Sequence, residues 1–318
     1  ALLDSLSDKA KQMQYHFIAN NDFPLGEKDS LNTLDFDSSY NNTHKNYHPE
    51  FRQHLQVFSY YDIFLIDAKS GEIIYSVFKE LDYATSLIDG PYKDSDLAKV
   101  YREASEFTNP DEVAFTFFHS YTPSYEAPAS FMASPVVDAS GKTIAVLAFQ
   151  MPIDELNSIM THHEKWEESG LGKSGETYLV SGEHKAQSKS RFLIEDKSAF
   201  LKALKDGGAS EKDVKQMELK NTNIGFQKIS TPGVEAALSG ETGFDIFPDY
   251  RGEMVLSAYT PLDFEGSRFA LLSEIDYAET HEFVGGMIAS LASSALIIAA
   301  IILSIVAYIA WAFSKSLS

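Results

Sequence analysis

The chain contains no cysteine in its 318 residues. This absence excludes a disulfide framework, a thiolate metal site and a cysteine nucleophile. Basic residues are also scarce, since 26 Lys and Arg stand against 46 Asp and Glu, which gives a net charge of -20. A surface of this sign repels phosphate backbones, so nucleic acid is not expected as a partner.

Charge is missing altogether from 32 consecutive positions near the C-terminus, residues 283–314. As a helix this run would be roughly 48 Å long, whereas the hydrocarbon core of a membrane needs about 30 Å. Tyr308 and Trp311 lie near its far end, where aromatic rings favour the membrane interface, and Lys315 follows. The run therefore predicts a transmembrane helix, with residues 315–318 at the start of a cytoplasmic relay.

The 282 residues before this run carry 25 basic and 46 acidic groups. Positively charged loops are retained in the cytoplasm, and an acidic block lacks that signal, so we expect residues 1–282 outside the membrane. The chain opens with apolar residues at helical spacing, which predicts a helix that packs on a neighbouring helix or on a second copy and follows an earlier membrane helix. This stripe consists of Leu3, Leu6, Ala10, Met13 and Phe17.

An antiparallel sheet of the α+β class is predicted for the first half. Residues 61–67 and 72–78 flank turn residues and form a hairpin pattern, and strand patterns recur at 112–119, 129–137 and 143–151. A helix is expected from about Ser95 to Phe107. Residues 20–49 are polar and predict a loop with one short helix.

The second half repeats this plan. A helix pattern runs from Pro152 to about Glu168, and a polar, partly helical insertion separates one strand pattern from three more. The strands are predicted at residues 176–181, 242–247, 254–260 and 268–275. We therefore divide the chain into an N-terminal helix and loop (1–49), a membrane-distal module (50–151), a membrane-proximal module (152–282), a transmembrane helix (283–314) and the relay (315–318).

Four segments of this sequence, in this order, carry a resemblance to a known family. They are residues 61–67 (YDIFLID) with their hairpin, 87–92 (LIDGPY), 121–138 (YTPS to PVVD) and 170–180 (GLGKSGETYLV). The chain resembles the double Cache sensor domains of bacterial chemoreceptors, sensor kinases and membrane-bound cyclases. The resemblance implies a long N-terminal helix, two tandem Cache modules of PAS-like fold, a C-terminal membrane helix and a homodimer in the bacterial inner membrane, with residues 1–282 in the periplasm.

The sequence departs from the amino-acid sensors of that family. Those sensors hold a carboxylate with a lid arginine and the ammonium group with aspartates. Between Leu81 and Tyr101 this chain has no arginine, and Gln150 ends the fifth strand where those sensors tend to have an aspartate. The departure weakens the expectation of an amino-acid ligand. The net negative charge favours a cationic or neutral ligand over a polyanion.

Motifs for catalysis or metal binding are weak. The glycine-rich residues 170–175 lack the loop length and the following helix of a phosphate-binding loop. His162, His163 and Glu164 are adjacent, whereas zinc-binding helices use i, i+4 spacing. We therefore expect no enzymatic activity, no metal and no cofactor in this chain, and any catalytic output domain would lie beyond Ser318.

Aromatic and polar residues alternate in the strands of the first module. Aromatic faces supply contact area and a few polar groups fix orientation in small-molecule sites, so we predict a ligand pocket in residues 50–151. Its predicted members are Asp62, Tyr75, Tyr92, His119, Tyr121, Ser130 and Gln150. Two alternatives stay open: the chain senses a periplasmic protein partner, which a large exposed apolar patch would favour, or it is the regulatory input of a membrane-anchored cyclase or kinase.

Overall fold

The structure, a computed structural model, describes residues 5–35 and 37–317, with the side chains of all of these except 282–284 and 313–317. The chain begins with helix α1 (Asp8–Gln14), which continues as a π-helical turn. Leu6, Ala10 and Phe17 of the predicted stripe are buried, but they pack against Tyr83 and residues near it in the same chain. The ring of Phe17 lies 5.3 Å from that of Tyr40 and 5.0 Å from that of His44, both on the helix Ser39–Phe58. The stripe therefore packs on a neighbouring helix of the same chain, which is one of the two predicted alternatives, and Leu3 lies outside the described residues.

The long helix of the N-terminal region is α2 (Ser39–Phe58), in a segment for which the sequence predicted mainly loop. Ser38 begins it, because its Oγ accepts a hydrogen bond from the backbone of Asn41 at 3.0 Å. The buried face of α2 carries Asn41, His44 and His48, where an amphipathic helix usually has aliphatic residues. Because this buried face is polar, the hydrophobic pattern of the sequence did not indicate a helix here. The helix also runs across residue 49, where we placed the first domain boundary.

The first half then forms a five-stranded sheet, as predicted. Its order is β2-β1-β7-β6-β3, with every neighbouring pair antiparallel. Strands β4 and β5 form a separate hairpin that the sequence did not distinguish from the main sheet. In chain order the elements are β1 (Asp62–Asp67), β2 (Ile73–Ser76), α3 (Asp96–Glu106), β3 (Ala114–Phe115), β4 (His119–Tyr121), β5 (Ala127–Ala129), β6 (Phe131–Val137) and β7 (Thr143–Gln150).

The two faces of this sheet have different covers. Ile63 and Val77 pack on Leu55 of α2 on one face. Phe64 and Phe131 point to the other face, where α3 and the loop before it complete the main core. We call this second side the inner face and residues 77–95 the lid loop. The hairpin β4–β5 also lies over the inner face, since the rings of Tyr121 and Phe131 are 4.9 Å apart.

The second half contains a four-stranded antiparallel sheet in the order β8-β11-β10-β9. Its elements are α4 (Ile153–Met160), β8 (Glu176–Ser181), α5 (Arg191–Glu195), α6 (Lys197–Asp206), α7 (Glu211–Lys220), α8 (Pro232–Ser239), β9 (Gly243–Pro248), β10 (Met254–Phe264), β11 (Ser267–Asp276) and α9 (Tyr277–Leu317). The predicted helix to Glu168 is too long. Residues 162–164 have positive φ, which ends the right-handed helix α4 before them.

Helix α9 follows β11 directly. Among the described residues it is the one helix long and apolar enough to cross a membrane, over Tyr277–Ala312. Its first turn is attached to the loop before β8, because Glu279 accepts hydrogen bonds from the backbone of Lys173 and Ser174 at 2.8 and 2.9 Å. The helix is therefore fixed to the second sheet at both its strand and this loop.

Contacts between the two halves are both polar and aromatic. The side chain of Gln187 accepts from the backbone N–H of Phe118 at 2.7 Å and donates to its carbonyl at 3.3 Å, as a neighbouring strand would. The ring of Phe115 lies 5.2 Å from that of Phe264, and Phe117 lies 4.9 Å from Phe269. These contacts join β3 and the segment after it to the second sheet.

Candidate functional site

The inner face of the first sheet has a polar end. The strand register places Asp62 of β1 opposite Gln150 of β7, and Gln150 opposite Phe131 of β6. All three side chains are buried. Because residues paired across antiparallel strands project to the same face, a carboxyl and an amide lie side by side at this end.

Asp62 is fully buried, and its carboxyl group organises the end of the neighbouring strand. Its Oδ1 accepts from the backbone N–H groups of Ile63, Val77 and Phe78 at 2.7, 2.9 and 3.1 Å. Its Oδ2 accepts from the hydroxyl group of Ser76 at 2.7 Å. These bonds satisfy the chain where it leaves β2, so Asp62 holds the beginning of the lid loop.

The lid loop brings two more carboxyl groups to the same end. Glu80 accepts from the hydroxyl groups of Tyr61 at 3.0 Å and Ser124 at 2.7 Å. Asp82 accepts from the hydroxyl of Tyr121 at 2.5 Å. Asp62, Glu80 and Asp82 together are called the acidic cluster below. Glu80 and Asp82 were not among the predicted site residues, although Lys79-Glu80-Leu81-Asp82 is a charged run within an aromatic-rich stretch.

Three polar atoms beside this cluster are open. Among the described residues, Asp82 Oδ1, Gln150 Oε1 and the Tyr92 hydroxyl are buried without a hydrogen-bond partner. The amide orientation of Gln150 follows from Ser124, whose hydroxyl hydrogen is donated to Glu80 and whose oxygen therefore accepts from Gln150 Nε2 at 3.2 Å. A buried polar atom without a partner costs about 1–3 kcal/mol, so these three open polar atoms favour a ligand that bonds to them.

Burial raises the pKa of each carboxyl group in the acidic cluster. The pKa is about 7 for Asp62, about 6 for Asp82 and about 8 for Glu80. The negative charge of Asp82 contributes to the rise at Asp62 and at Glu80. A positive group that entered the cluster would offset both the desolvation cost of the buried carboxylates and the repulsion between them.

The buried lysine nearest in sequence points to the other face of the sheet. Lys79 is 1% exposed, its Nζ donates to the carbonyl of Val77 at 3.1 Å, and it lies 5.5 Å from the ring centre of Tyr75. Burial lowers the pKa of Lys79 to about 7. Within the described part of the chain, no Lys or Arg side chain hydrogen-bonds to Glu80 or Asp82.

A cavity of about 390 Å³ lies at the surface, between the end of the lid loop, the start of α3 and strand β4. Tyr92, Asp96, His119 and Tyr121 line it, and the hydroxyl of Tyr121 reaches Asp82. We call it the entrance cavity. His119 lies between Asp96 at 2.7 Å and Glu183 at 2.9 Å, and the hydrogen bond to Asp96 raises the pKa of its imidazole.

The structure brings four of the seven predicted site residues to this region. They are Asp62, Tyr92, Tyr121 and Gln150, and His119 is at the surface of the entrance cavity. Tyr75 lies on the opposite face, where its hydroxyl contacts His48 Nδ1 at 2.7 Å. Ser130 is buried and donates to the carbonyl of Thr116 at 2.6 Å.

Tyr75 belongs to a second cavity, of about 430 Å³, between α2 and β2. Its lining is mainly aromatic and aliphatic, from Tyr40, Tyr47, Phe51, Leu65, Ile74 and Tyr75. Burial lowers the pKa of the nearby His44 to about 3 and of His48 to about 4, so both rings are neutral at physiological pH. This cavity is separated from the acidic cluster by the sheet.

No family model matches the chain, and none of the curated proteins matches it. Several solved structures are similar to it. One is the ligand-binding domain of the amino acid chemoreceptor PctC of Pseudomonas aeruginosa PAO1 in complex with GABA, at 17% identity and a TM-score of 0.41, over 84% of this chain and 92% of that one. A second is the periplasmic sensory domain of the Campylobacter jejuni chemoreceptor Tlp1, at 13% identity and a TM-score of 0.45, over 87% and 94%.

A third is the ligand-binding domain of the Pseudomonas fluorescens chemoreceptor CtaA in complex with L-isoleucine, at 11% identity and a TM-score of 0.41, over 86% of this chain and 85% of that one. These proteins are of the class that the sequence resemblance named. TM-scores below 0.5 are too low to assign a ligand or a mechanism, which must come from the chain's own residues.

Proposed function

We propose that the chain is the extracytoplasmic ligand-sensing region of a bacterial inner-membrane receptor. In this proposal the membrane-distal module binds a small molecule between the inner face of its sheet and the lid loop. Helix α9 crosses the membrane and passes the resulting change to the cytoplasmic side. The observation that carries the proposal is the set of open polar atoms behind the entrance cavity.

The chemistry of the site favours a cationic ligand with N–H donors. Asp82 Oδ1 and Gln150 Oε1 can only accept hydrogen bonds, and the acidic cluster supplies negative charge in a buried setting. The rings of Tyr121 and Phe131 add aromatic faces that attract a cation. A compact protonated amine matches these features better than a carboxylate or phosphate, which the cluster would repel.

A thermal-shift screen tests this proposal. Primary amines and carboxylates with the same carbon skeletons are compared, and we expect stabilisation by one or more amines only. Asp82→Asn and Tyr121→Phe should remove or strongly reduce that shift, while Asp89→Asn, an exposed lid-loop variant, should keep it. Stabilisation by carboxylates alone, or an amine shift that survives Asp82→Asn, would contradict the assignment.

A surface of the second sheet is suited to the homodimer that the sequence resemblance implies. Phe244, Ile246, Met254 and Leu256 of β9 and β10 lie on the outer face of the second sheet, and Phe244 is 77% exposed. Ile246 and Leu256 are cross-strand partners, so their side chains form one apolar surface. We call it the outer patch. We propose that it contacts a second copy of the chain in a homodimer, because the opening stripe is used within the chain.

A further inference from the structure

The second sheet has a buried carboxyl pair at the position that Asp62 and Gln150 occupy in the first. Glu176 of β8 is the cross-strand partner of Glu274 of β11, and Glu274 is the partner of Ser257 of β10. Both glutamates are 3% exposed. Two carboxyl groups therefore lie on adjacent strands, on the same face and away from solvent.

The hydrogen bonds of the two carboxyl groups are unequal. Glu176 accepts from the hydroxyl of Tyr250, the hydroxyl of Ser190 at 3.3 Å and the backbone of Arg191 at 3.1 Å. Among the described residues, the oxygens of Glu274 make no hydrogen bond of normal geometry; the hydroxyl groups of Tyr178 and Ser257 lie next to them and lower the pKa of Glu274, against the larger effect of burial. Glu274 is therefore the side chain that gains most from a bound proton.

The cations near the pair are engaged elsewhere. Arg251 donates to Asp249 and Asp276 at 2.6 Å each and lies 3.7 Å from the ring centre of Phe192. The guanidinium of Arg191 donates to a glutamate and two backbone carbonyls and lies over the ring of Trp166 at 4.8 Å. Neither arginine donates a side-chain hydrogen bond to the pair.

Five titratable groups among the described residues lie close to the pair. Tyr178 lies on β8, Asp249, Tyr250 and Arg251 follow β9, and Arg191 begins α5. Arg251 lowers the pKa of Glu176, and Asp249 raises it. Burial is the largest effect and raises the pKa of Glu176 and of Glu274 to about 7.

The pair is attached to the membrane helix from both sides. Glu274 lies three residues before Tyr277, where α9 begins. The loop that leads into Glu176 contains Ser174, whose hydroxyl donates to Glu279 of α9 at 2.6 Å and accepts from the backbone of Asp276 at 3.0 Å. A separation of β8 from β11 at the pair would therefore act on the first turn of α9.

We propose that Glu176 and Glu274 form a proton-binding site through which the membrane-proximal module senses pH and transmits it to α9. One carboxyl group holds a proton from solvent and can donate it to the other group or to a neighbouring hydroxyl. Loss of that proton leaves two like charges on adjacent strands in a poorly solvated setting, which repel each other. The carboxyl oxygens of Glu274 are inaccessible to solvent, so a proton is the ligand that reaches them without rearrangement of the sheet.

Trp166 is a built-in reporter of this site. The chain has two tryptophans, so Trp311→Phe leaves Trp166 alone, against the arginine whose backbone N–H donates to Glu176. In the full chain in detergent micelles, we expect the emission of Trp166 to change with a midpoint near pH 7. The change should vanish in the double variant Glu176→Gln with Glu274→Gln. It should persist in Glu211→Gln, an exposed control on α7, and in Asp82→Asn of the first module.

The single variant Glu274→Gln keeps every bond of Glu176. Removal of its like-charged neighbour should lower the remaining midpoint by about one pH unit. Between pH 6 and pH 8, amide hydrogen exchange of residues 172–176 and 274–281 should accelerate more in the wild type than in the double variant. Absence of a transition in the wild type, its survival in the double variant, or exchange that is indifferent to pH would overturn the proposal.

Discussion

Asp62 and Glu176 occupy equivalent positions in the two sheets. Each is the first residue of its strand, and each pairs with a residue that lies three positions before a helix. In the first sheet the partner is Gln150, before α4, and in the second it is Glu274, before α9. The same position therefore has an acid–amide pair in one module and an acid–acid pair in the other.

Asp62 and Asp82 should differ in their effect on stability. Asp62→Ala removes four hydrogen bonds, three from backbone N–H groups and one from a hydroxyl, and only the N–H of Val77 is seen to keep another acceptor, the carbonyl of Ile63. We therefore expect a loss of about 3 kcal/mol or more. Asp82→Ala removes one hydrogen bond and one open atom, and should cost far less. Urea unfolding measures both, and equal losses would contradict the division between a structural and a ligand-facing carboxyl group.

The stability of the ligand-free protein should depend on the charge of Asp82. Its pKa rises from 3.8 to about 6 on folding, so the native state binds the proton more tightly than the unfolded state. Stability from this group is then present below pH 4 and is lost as pH rises through 6. Asp82→Asn should stabilise the protein by about 3 kcal/mol at pH 8 and hardly at pH 4. Thermal unfolding at both pH values checks the sign, with Asp89→Asn as the exposed control.

The outer patch should govern self-association. Phe244→Asp places a charge on the surface proposed to be buried between two copies, so the dimer should dissociate while the fold is retained. Leu219→Asp on α7, where the leucine is 66% exposed, is the matched control. Sedimentation velocity reports the two states. A wild-type monomer, or a dimer unaffected by Phe244→Asp, would favour a different protein as the partner of this surface.

Crosslinking tests the dimeric relay through the membrane. Because the chain has no cysteine, single cysteines at residues 289–299 report without background. We expect crosslinks between subunits with a helical period of 3.6 residues, and a pattern that changes when a confirmed ligand binds. A pattern that ignores the ligand would separate binding from movement of α9.

The orientation of the chain in the membrane can be measured directly. A reporter enzyme that works only in the cytoplasm should be active when it is fused after Ser318, since the acidic residues 1–282 are proposed to be periplasmic. Activity of a periplasm-dependent reporter at the same position would reverse the orientation.

The main elements of the fold were predictable because their hydrophobic patterns are local. The five-stranded sheet, α3 and the four strands of the second sheet all occur close to their predicted places. Ser95, near which the helix was predicted to begin, caps α3. Helix α2 was missed because three of its four buried side chains are histidines and an asparagine, which form hydrogen bonds in place of apolar contacts.

The candidate site was only partly predictable for a different reason. Side chains of a strand alternate between the two faces of the sheet, so the positions of aromatic and polar residues along the strands were enough to predict Asp62, Tyr121 and Gln150 as site residues. Tyr75 pairs with Leu65, and the register shift beyond this pair places Ile73 and Tyr75 on opposite faces of the sheet although they are two residues apart. Alternation counted along the sequence therefore misplaced Tyr75. Glu80 and Asp82 lie on a loop with no periodicity, and only the folded lid brings them to the sheet.

The closed lid has a kinetic consequence. The open polar atoms are shielded from solvent, so a ligand cannot reach them at a rate set by diffusion alone. The lid loop must first leave Tyr121 and Ser124, which hold it through Asp82 and Glu80. At high ligand concentration the observed association rate should therefore level off at the opening rate of the lid, and variants that weaken these two bonds should raise that ceiling.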